Sequence, residues 1–500
     1  MSREPSLQPF AELPEPSAAL LSDLRRLVGE AISISPQDRM NAGRDMWPKS
    51  FLWRRKGLVP RPPDAVLFPS DAEQVARILR FASEREIPVI PVGARSGVLG
   101  ALVPVREGSL AIDTRRLSNL NLPDRERQEA TVGAGVIGLE FERMLREHDL
   151  TLGHAPASIG GSTVGGWLAT RSAGQHSSRY GKIEDMVVEM ECVLGTGEIV
   201  HPARPTPGTD WLELFAGSEG ALGIITQATF RVWPLPDVSI SGAQRFPDLA
   251  HALAAMREIL QAGHRPSVMR LYDPLDALLS FPPFGEGANE VKEGRPPNMR
   301  ELLPREPKAA PLRALWNLAL SRPWALNRLG GLRRATLLLL VHEGEDWEAE
   351  TEAREVAAIC RRHGGRDLGS GPGERWMQRR WDVSRHFPTV FEMGGWVDTL
   401  ELAIGWGGVN RLYRAVRRAV SPHALTMAHF SHAYPDGCSI YFTFLGAAED
   451  PDRGLRQYDA AWEAAMRAAR WEGATISHHH GVGLQKANWL GEELGERGLD

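Results

Sequence analysis

Apolar residues recur at helical spacing over Asp71–Glu86, where Val75, Ile78, Leu79 and Ala82 fall on one face. Val89 and Ile90, just after it, read as a short buried strand. The same spacing predicts helices over Asp248–Ala262 (Leu249, Leu253, Met256 and Leu260 on one face), Trp347–Arg362, Val409–Val420 and Asp452–Trp471, with another within Pro16–Ile32. Short apolar and β-branched runs predict strands at Asp64–Pro69, Glu129–Gly133, Met186–Leu194 and Ile224–Val232. Later candidates are Ser267–Leu271, Thr336–Val341, Val397–Ile404 and Ile440–Phe444. Glycine turns separate the strands up to about Pro236, and from Val238 strands alternate with amphipathic helices. The pattern predicts an α+β chain whose second half is an antiparallel sheet covered by helices.

Five hundred residues exceed what one core organises, so several domains are expected. The expected divisions are an N-terminal helical and irregular segment (1–60), a β-rich domain (61–237), a second domain (238–460) and a C-terminal segment (461–500). Within the second domain, residues 282–331 read as an insertion. It is rich in Pro and Gly, then amphipathic and basic, with Leu312, Leu315, Trp316, Leu320, Trp324, Leu326 and Leu329 among Arg313, Arg322, Arg328, Arg333 and Arg334. Such a face either covers the domain as a helical hairpin or lies against a membrane through about 311–334.

Two glycine-rich segments carry the chemistry. Pro91-Val92-Gly93-Ala94-Arg95-Ser96-Gly97 follows the short strand and offers backbone N–H donors to an anion. It is neither a Gly-x-Gly-x-x-Gly fingerprint, because no helix follows, nor a Walker loop, because no Gly-Lys-Ser/Thr occurs there. His154-Ala-Pro-Ala157-Ser158-Ile159-Gly160-Gly161-Ser162-Thr163-Val-Gly-Gly166-Trp167 is dense in small residues and hydroxyls, which lets backbone approach a large flat ligand.

These segments resemble the FAD-binding domain of the vanillyl-alcohol oxidase (PCMH-type) superfamily. Pro91–Pro104 resembles its pyrophosphate loop. Later flavin-contacting segments have counterparts at Ala157–Gly166, at Ser172, Ala173, Gly174, Gln175 and Tyr180, and at Glu219, Gly220, Ala221, Leu222, Gly223, Ile224 and Ile225. Within the superfamily the chain is most similar to the alkyldihydroxyacetonephosphate synthases, on His154, Trp167, Arg270-Leu-Tyr-Asp273, Ser439-Ile-Tyr441 and Ser477-His478-His479-His480-Gly-Val-Gly483. The resemblance implies a PCMH-type domain plus a cap, with FAD as cofactor. The implied reaction exchanges the acyl group of acyl-dihydroxyacetone phosphate for a long-chain alcohol through a flavin adduct. It also implies roles for Tyr441 and His478, His479 and His480 in proton transfer and positioning, for His154 beside the flavin, and for Arg270 toward the substrate's anionic end. No Cys or His lies in Pro91–Pro104, where a flavin tether commonly attaches, so noncovalent FAD is expected.

Three departures bear on this reading. Arg95 occupies a position that is usually glycine in the family. The arginine motif that the synthases carry before the Glu401 strand is represented only by Arg385-His386. The chain stops at Asp500, sooner than family members usually do, so a truncated C-terminus is expected.

A net charge of −5 gives no global attraction to nucleic acid. Cys192, Cys360 and Cys438 are isolated, which argues against a disulfide framework or structural zinc and for a reducing, cytoplasmic setting. The N-terminus lacks the apolar core of a secretory signal. Leu337–Val341, the longest aliphatic run, is far too short to span a bilayer. The expected partner is a lipid-like small molecule, no metal is expected, and a homodimer is left open. The rival reading is an FAD-dependent D-2-hydroxy-acid dehydrogenase or oxidase, which the Gly93–Gly97 loop also resembles. Many such enzymes hold a metal through cap histidines and a glutamate, and here His479 stands at the glutamate position. A non-catalytic, membrane-associated flavin-binding protein is the third reading.

Overall fold

A computed structural model describes residues 5–9, 13, 15–204, 208–281, 317–330, 335–381, 390–391, 394–447, 450–495 and 498. Of the expected insertion only 317–330 fall within this set. Leu312, Arg313, Leu315, Trp316, Arg333 and Arg334 lie outside the described residues, as do Arg385 and His386. The chain divides into two units: residues 1–174, 181–235 and 479–500, and residues 175–180 and 236–478.

The first unit opens with helix α1 (Ala18–Val28), strand β1 (Ile32–Ser33) and helices α2 (Pro36–Ala42) and α3 (Pro48–Arg55). Ser35 caps α2 by accepting from the Asp38 N–H at 3.1 Å. Strand β2 (Ala65–Leu67), helix α4 (Ala72–Glu84), β3 (Val89–Val92) and β4 (Leu110–Asp113) follow. They form a sheet of order β1-β2-β4-β3, in which β4 runs parallel to both β2 and β3. The predicted α4 face is observed: Val75, Ile78 and Leu79 are buried in one cluster with Leu67, Leu110 and Ile112, and Ala82 is buried as well. A second, antiparallel sheet contains β5 (Glu129–Gly133), β6 (Val187–Val193), β7 (Ile199–Val200) and β8 (Ile224–Arg231), in the order β7-β6-β8-β5. Helices α5 (Gly138–Arg146) and α6 (Val164–Ala169) lie between β5 and β6 in the chain.

The second unit is one antiparallel sheet of seven strands. They are β9 (Val238–Phe246), β10 (Val268–Tyr272), β11 (Thr336–Gly344), β12 (Arg366–Asp367), β13 (Gly395–Gly405), β14 (Leu425–Ala433) and β15 (Gly437–Ala447), in the order β12-β9-β11-β10-β14-β15-β13. Its helices include α7 (Leu249–Gln261), α8 (Pro274–Ser280), α9 (Asp346–Arg362), α10 (Val409–Val420) and α11 (Pro451–Trp471). The four long predicted helices are therefore present within one or two residues. Helix α12 (Gly483–Leu494) belongs to the first unit, as does the N-terminal segment. The sequence reading set both segments apart.

Buried polar links tie the second unit's helices to its sheet. Asp398 on β13 accepts from Tyr458 OH (2.5 Å) and Trp462 Nε1 (2.8 Å), both on α11. Asp273 caps α8 through the Leu275 and Asp276 N–H groups and accepts from Tyr413 OH on α10 at 2.8 Å. The described end of the insertion, helix Pro323–Gly330, is pinned by Asn327, whose amide donates to Ala424 O (2.9 Å) and accepts from Thr426 N (3.0 Å).

Gly446 on β15 leaves room for the Trp396 ring of β13, and a Cβ there would land inside the indole. Gly446→Ala is expected to lower stability by about 1–3 kcal/mol through overpacking. A fall in the urea midpoint with unchanged slope would register it.

Candidate functional site

In the first unit, β3 runs directly into the loop Gly93–Gly100. Among the described residues, no backbone N–H from Ala94 to Val98 donates to another part of the chain. Arg95 holds this loop in a left-handed turn (φ 64°). Five adjacent donors without acceptors form a cradle for a dianionic group such as a pyrophosphate. Burial pulls the Arg95 guanidinium below its usual range, and the guanidinium makes no hydrogen bond among the described residues. Arginine in place of the usual glycine therefore leaves a cation at the cradle.

The second glycine-rich segment is a turn. Ala157, Gly160 and Gly161 are exposed, and a Cβ on Gly161 would meet nothing within 4 Å. Beneath it Trp167 Nε1 donates to Ser162 Oγ at 2.7 Å. His154 is buried, meets Ser172 Oγ at 3.3 Å through Nε2 and lies edge-on to Trp167 with ring centroids 4.6 Å apart. This geometry makes His154 a support for the segment.

Among the described residues six non-glycine positions have left-handed backbone, and Arg95, Arg171 and Glu219 are three of them. Such backbone persists where surrounding contacts over-determine it. Arg171 donates to Ala216 O and Glu213 O, and Glu219 accepts from the Val482 and Gly483 N–H groups at the start of α12.

Of the expected FAD contacts, those in Pro91–Gly97, Ala157–Thr163, Gly166, Ser172–Gly174 and Glu219–Ile225 lie in the first unit. Gln175 and Tyr180 belong to the second, where Tyr180 OH donates to Glu343 at 3.3 Å and Ser177 Oγ meets His432 Nδ1 at 2.8 Å. The expected catalytic residues are also split. Arg270, Tyr441 and His478 are in the second unit; His154, His479 and His480 are in the first. The three histidines lie in a bend, with the His479 and His480 rings edge-to-face at 4.5 Å. The His478 N–H donates to Glu401 at 2.9 Å, and its ring stacks on His432 at 5.6 Å.

The second unit gathers Arg270 (β10), His429 (β14) and Tyr441 (β15). Arg270 Nη2 lies 2.7 Å from His429 Nε2, and its Nε donates to Tyr272 OH at 2.9 Å. A guanidinium can only donate, so Nε2 must be the acceptor and Nδ1 carries the hydrogen. Nδ1–H then points at Asp276 Oδ2, 3.3 Å away. Burial first, and then the Arg270 charge, hold the His429 imidazole well below its ordinary pKa, so it stays neutral. Tyr441 sits directly opposite His429 in the sheet and stacks on it at 4.6 Å, 17° from parallel. Burial pushes the Tyr441 phenol up to about 12, despite its hydrogen bond with Thr399. Among the described residues Arg270 makes no ion pair, and its Nη1 has no hydrogen-bond partner. That nitrogen is available to an anion.

Sequence reasoning missed His429, His432, Tyr272 and Asp276. A signal was present, because Tyr434-Pro-Asp-Gly437 is a turn sequence. Counting back across that hairpin sets Phe430 opposite Tyr441; a register irregularity between Phe430 and Ala433 shifts the pairing by one residue and brings His429 there instead.

Residues 63–202 match the FAD binding domain family, and residues 235–500 match the family of the FAD linked oxidases' C-terminal domain. The chain belongs to the FAD-linked oxidase family. It is 29% identical to the alkyldihydroxyacetonephosphate synthase of Trypanosoma brucei brucei, over 90% of this chain and 72% of that one. The same synthase of Dictyostelium discoideum is 30% identical, over 87% of this chain and 69% of that one. A glycolate oxidase subunit of Bacillus subtilis is 25% identical, over 88% and 84%. A solved alkyldihydroxyacetonephosphate synthase superposes with a TM-score of 0.76 at 26% identity, covering 95% of this chain and 84% of that chain. The protein is thus a synthase-like flavoenzyme with a PCMH-type fold, and its cofactor is FAD. The unpaired N–H groups of Ala94–Val98 and the open turn at Gly160–Gly161 fit the cofactor's diphosphate and flat ring system.

His429 is expected to show the Nδ1–H tautomer in ¹⁵N-edited imidazole spectra and to stay neutral as pH falls through the ordinary histidine range. In the unfolded chain the same histidine protonates near 6.5, so below that pH the unfolded state binds the extra proton. Stability should fall as pH drops through about 6.5. His429→Gln should remove this part of the pH dependence of denaturant unfolding.

Proposed function

We propose that this flavoenzyme exchanges the acyl group of acyl-dihydroxyacetone phosphate for a long-chain alcohol, as the names of its synthase relatives suggest. The carrying observation is the Arg270–His429–Tyr441 cluster, which combines a free guanidinium nitrogen with a protonated phenol. FAD, when bound, supplies an electron-accepting ring for the substrate carbon.

Arg270 holds the substrate's phosphate through Nη1, which suits a tetrahedral anion. His429 and Tyr272 aim the guanidinium. Tyr441, with its phenol at about 12, keeps its proton at neutral pH and so offers a hydrogen bond to the departing carboxylate oxygen, which leaves as the anion. His478, His479 and His480 complete proton transfer and positioning, with the His478 backbone anchored on buried Glu401. FAD is held noncovalently by the Pro91–Gly97 and Ala157–Gly166 segments. No helix of the described residues is long and apolar enough to cross a membrane. Exposed Leu318 and Trp324, in a stretch with Arg322 and Arg328, support peripheral contact with a lipid surface.

The second reading, a D-2-hydroxy-acid dehydrogenase or oxidase, draws on the glycolate oxidase relative, since Arg270 Nη1 also suits a carboxylate. An anaerobic flavin titration separates the two. The synthase reading expects bleaching by acyl-dihydroxyacetone phosphate that recovers on adding long-chain alcohol without an electron acceptor. Bleaching only by a 2-hydroxy acid, reversed only by an acceptor, would overturn it. Tyr441→Phe should keep its FAD and lose about 10²-fold or more in turnover, read as single-turnover rates.

A further inference from the structure

The residues that shape the FAD loop extend beyond the family match. Asp45 lies between α2 and α3, ahead of residue 63 where the FAD binding domain match begins. Its carboxylate is buried, 5% exposed, and makes no ion pair among the described residues. All its partners are backbone. Oδ2 accepts from Gly100 N (2.9 Å) and Ala101 N (3.1 Å), while Oδ1 accepts from Trp47 N (3.1 Å). The neighbouring Met46 N–H donates to Gly97 O at 2.8 Å.

Trp47 completes the brace. Gly100 has φ +78°, and the Trp47 ring occupies the space a Cβ there would need. Trp47 Nε1 donates to Gln485 Oε1 (2.9 Å) on α12, and the Gln485 N–H donates to Leu99 O (3.1 Å). The far half of the loop, Gly97–Ala101, is therefore bonded to the Asp45 segment on one side and to α12 on the other. The near half, Ala94–Val98, keeps its N–H groups free.

We propose that Asp45 is a positioning residue for FAD, bracing Gly97–Ala101 so that the free N–H groups of Ala94–Val98 converge on the diphosphate. A buried carboxylate without a cation is costly to fold around, and burial pushes this one up to about 7. Three aligned N–H donors offset part of that cost and set the direction of the chain at the loop. The proposal depends on FAD as cofactor but not on which reaction follows.

The test uses the full chain, stripped of FAD and reconstituted. FAD fluorescence quenching gives Kd, the apoprotein melt gives stability, and ³¹P resonances of bound FAD report the diphosphate. Asp45→Ala is expected to weaken FAD binding about tenfold or more per folded molecule. Asp45→Asn keeps one acceptor oxygen and should lose less, with displaced ³¹P resonances. A purely structural Asp45 would lower the apoprotein melt yet leave Kd within about twofold and the ³¹P shifts unmoved, which would overturn the proposal. If Asp45→Ala does not fold, near-isosteric Asp45→Asn decides by the same two readouts.

Discussion

The hydrogen bond from Arg270 to His429 Nε2 sets the chemistry of the second unit. Because guanidinium offers only donors, it forces the imidazole to be neutral and places its hydrogen on Nδ1, toward Asp276. The neutral ring can then stack on Tyr441 without adding a second buried cation beside Arg270. A charged imidazole there would repel the guanidinium and bring the phenol's pKa down. Among the described residues the unit thus pairs a guanidinium nitrogen that has no hydrogen-bond partner with a protonated phenol, which suits holding an anion while offering a hydrogen bond to an oxygen.

Cofactor binding in the first unit follows a different logic, in which backbone does the recognising. Among the described residues the N–H groups of Ala94–Val98 have no acceptors of their own, and the loop is held by contacts made from outside it. Asp45 and Trp47 come from before the β-rich core, and Gln485 comes from the far end of the chain. A diphosphate site made of main-chain donors is only as good as the bracing behind it, since the donors carry no side chain to find their own position.

The three imidazoles at 478–480 show how local structure redistributes an apparent cluster. In a bend, neighbouring residues need not share a face. His478 stacks on His432 in the second unit, while His479 and His480 pack edge-to-face in the first. Glu401 holds the bend from its side by accepting from Ser477 and His478, and it is fully buried to do so.

Elements whose burial is one-sided were legible in the sequence. Helices α4, α7, α9, α10 and α11 each carry an apolar stripe at a 3.6-residue period, and the glycine-rich loops announce close approach of backbone to a ligand. From these alone come the β-rich first part and the helix-covered sheet of the second; FAD as the ligand of the loops was what the family resemblance implied. Strand β14 was not legible. Every residue from Leu425 to Ala433 is buried, but Thr426, His429, Ser431 and His432 interrupt it, so it shows neither the continuous apolar run of β11 nor a clean alternation. His429 gained its meaning only when sheet pairing placed it against Arg270 and Tyr441, which are distant in sequence. The same holds for Asp45, whose partners Gly100 and Ala101 lie more than fifty residues away. Periodicity reports which face a residue turns toward the core. Which groups meet there is decided by long-range pairing, which no local pattern records.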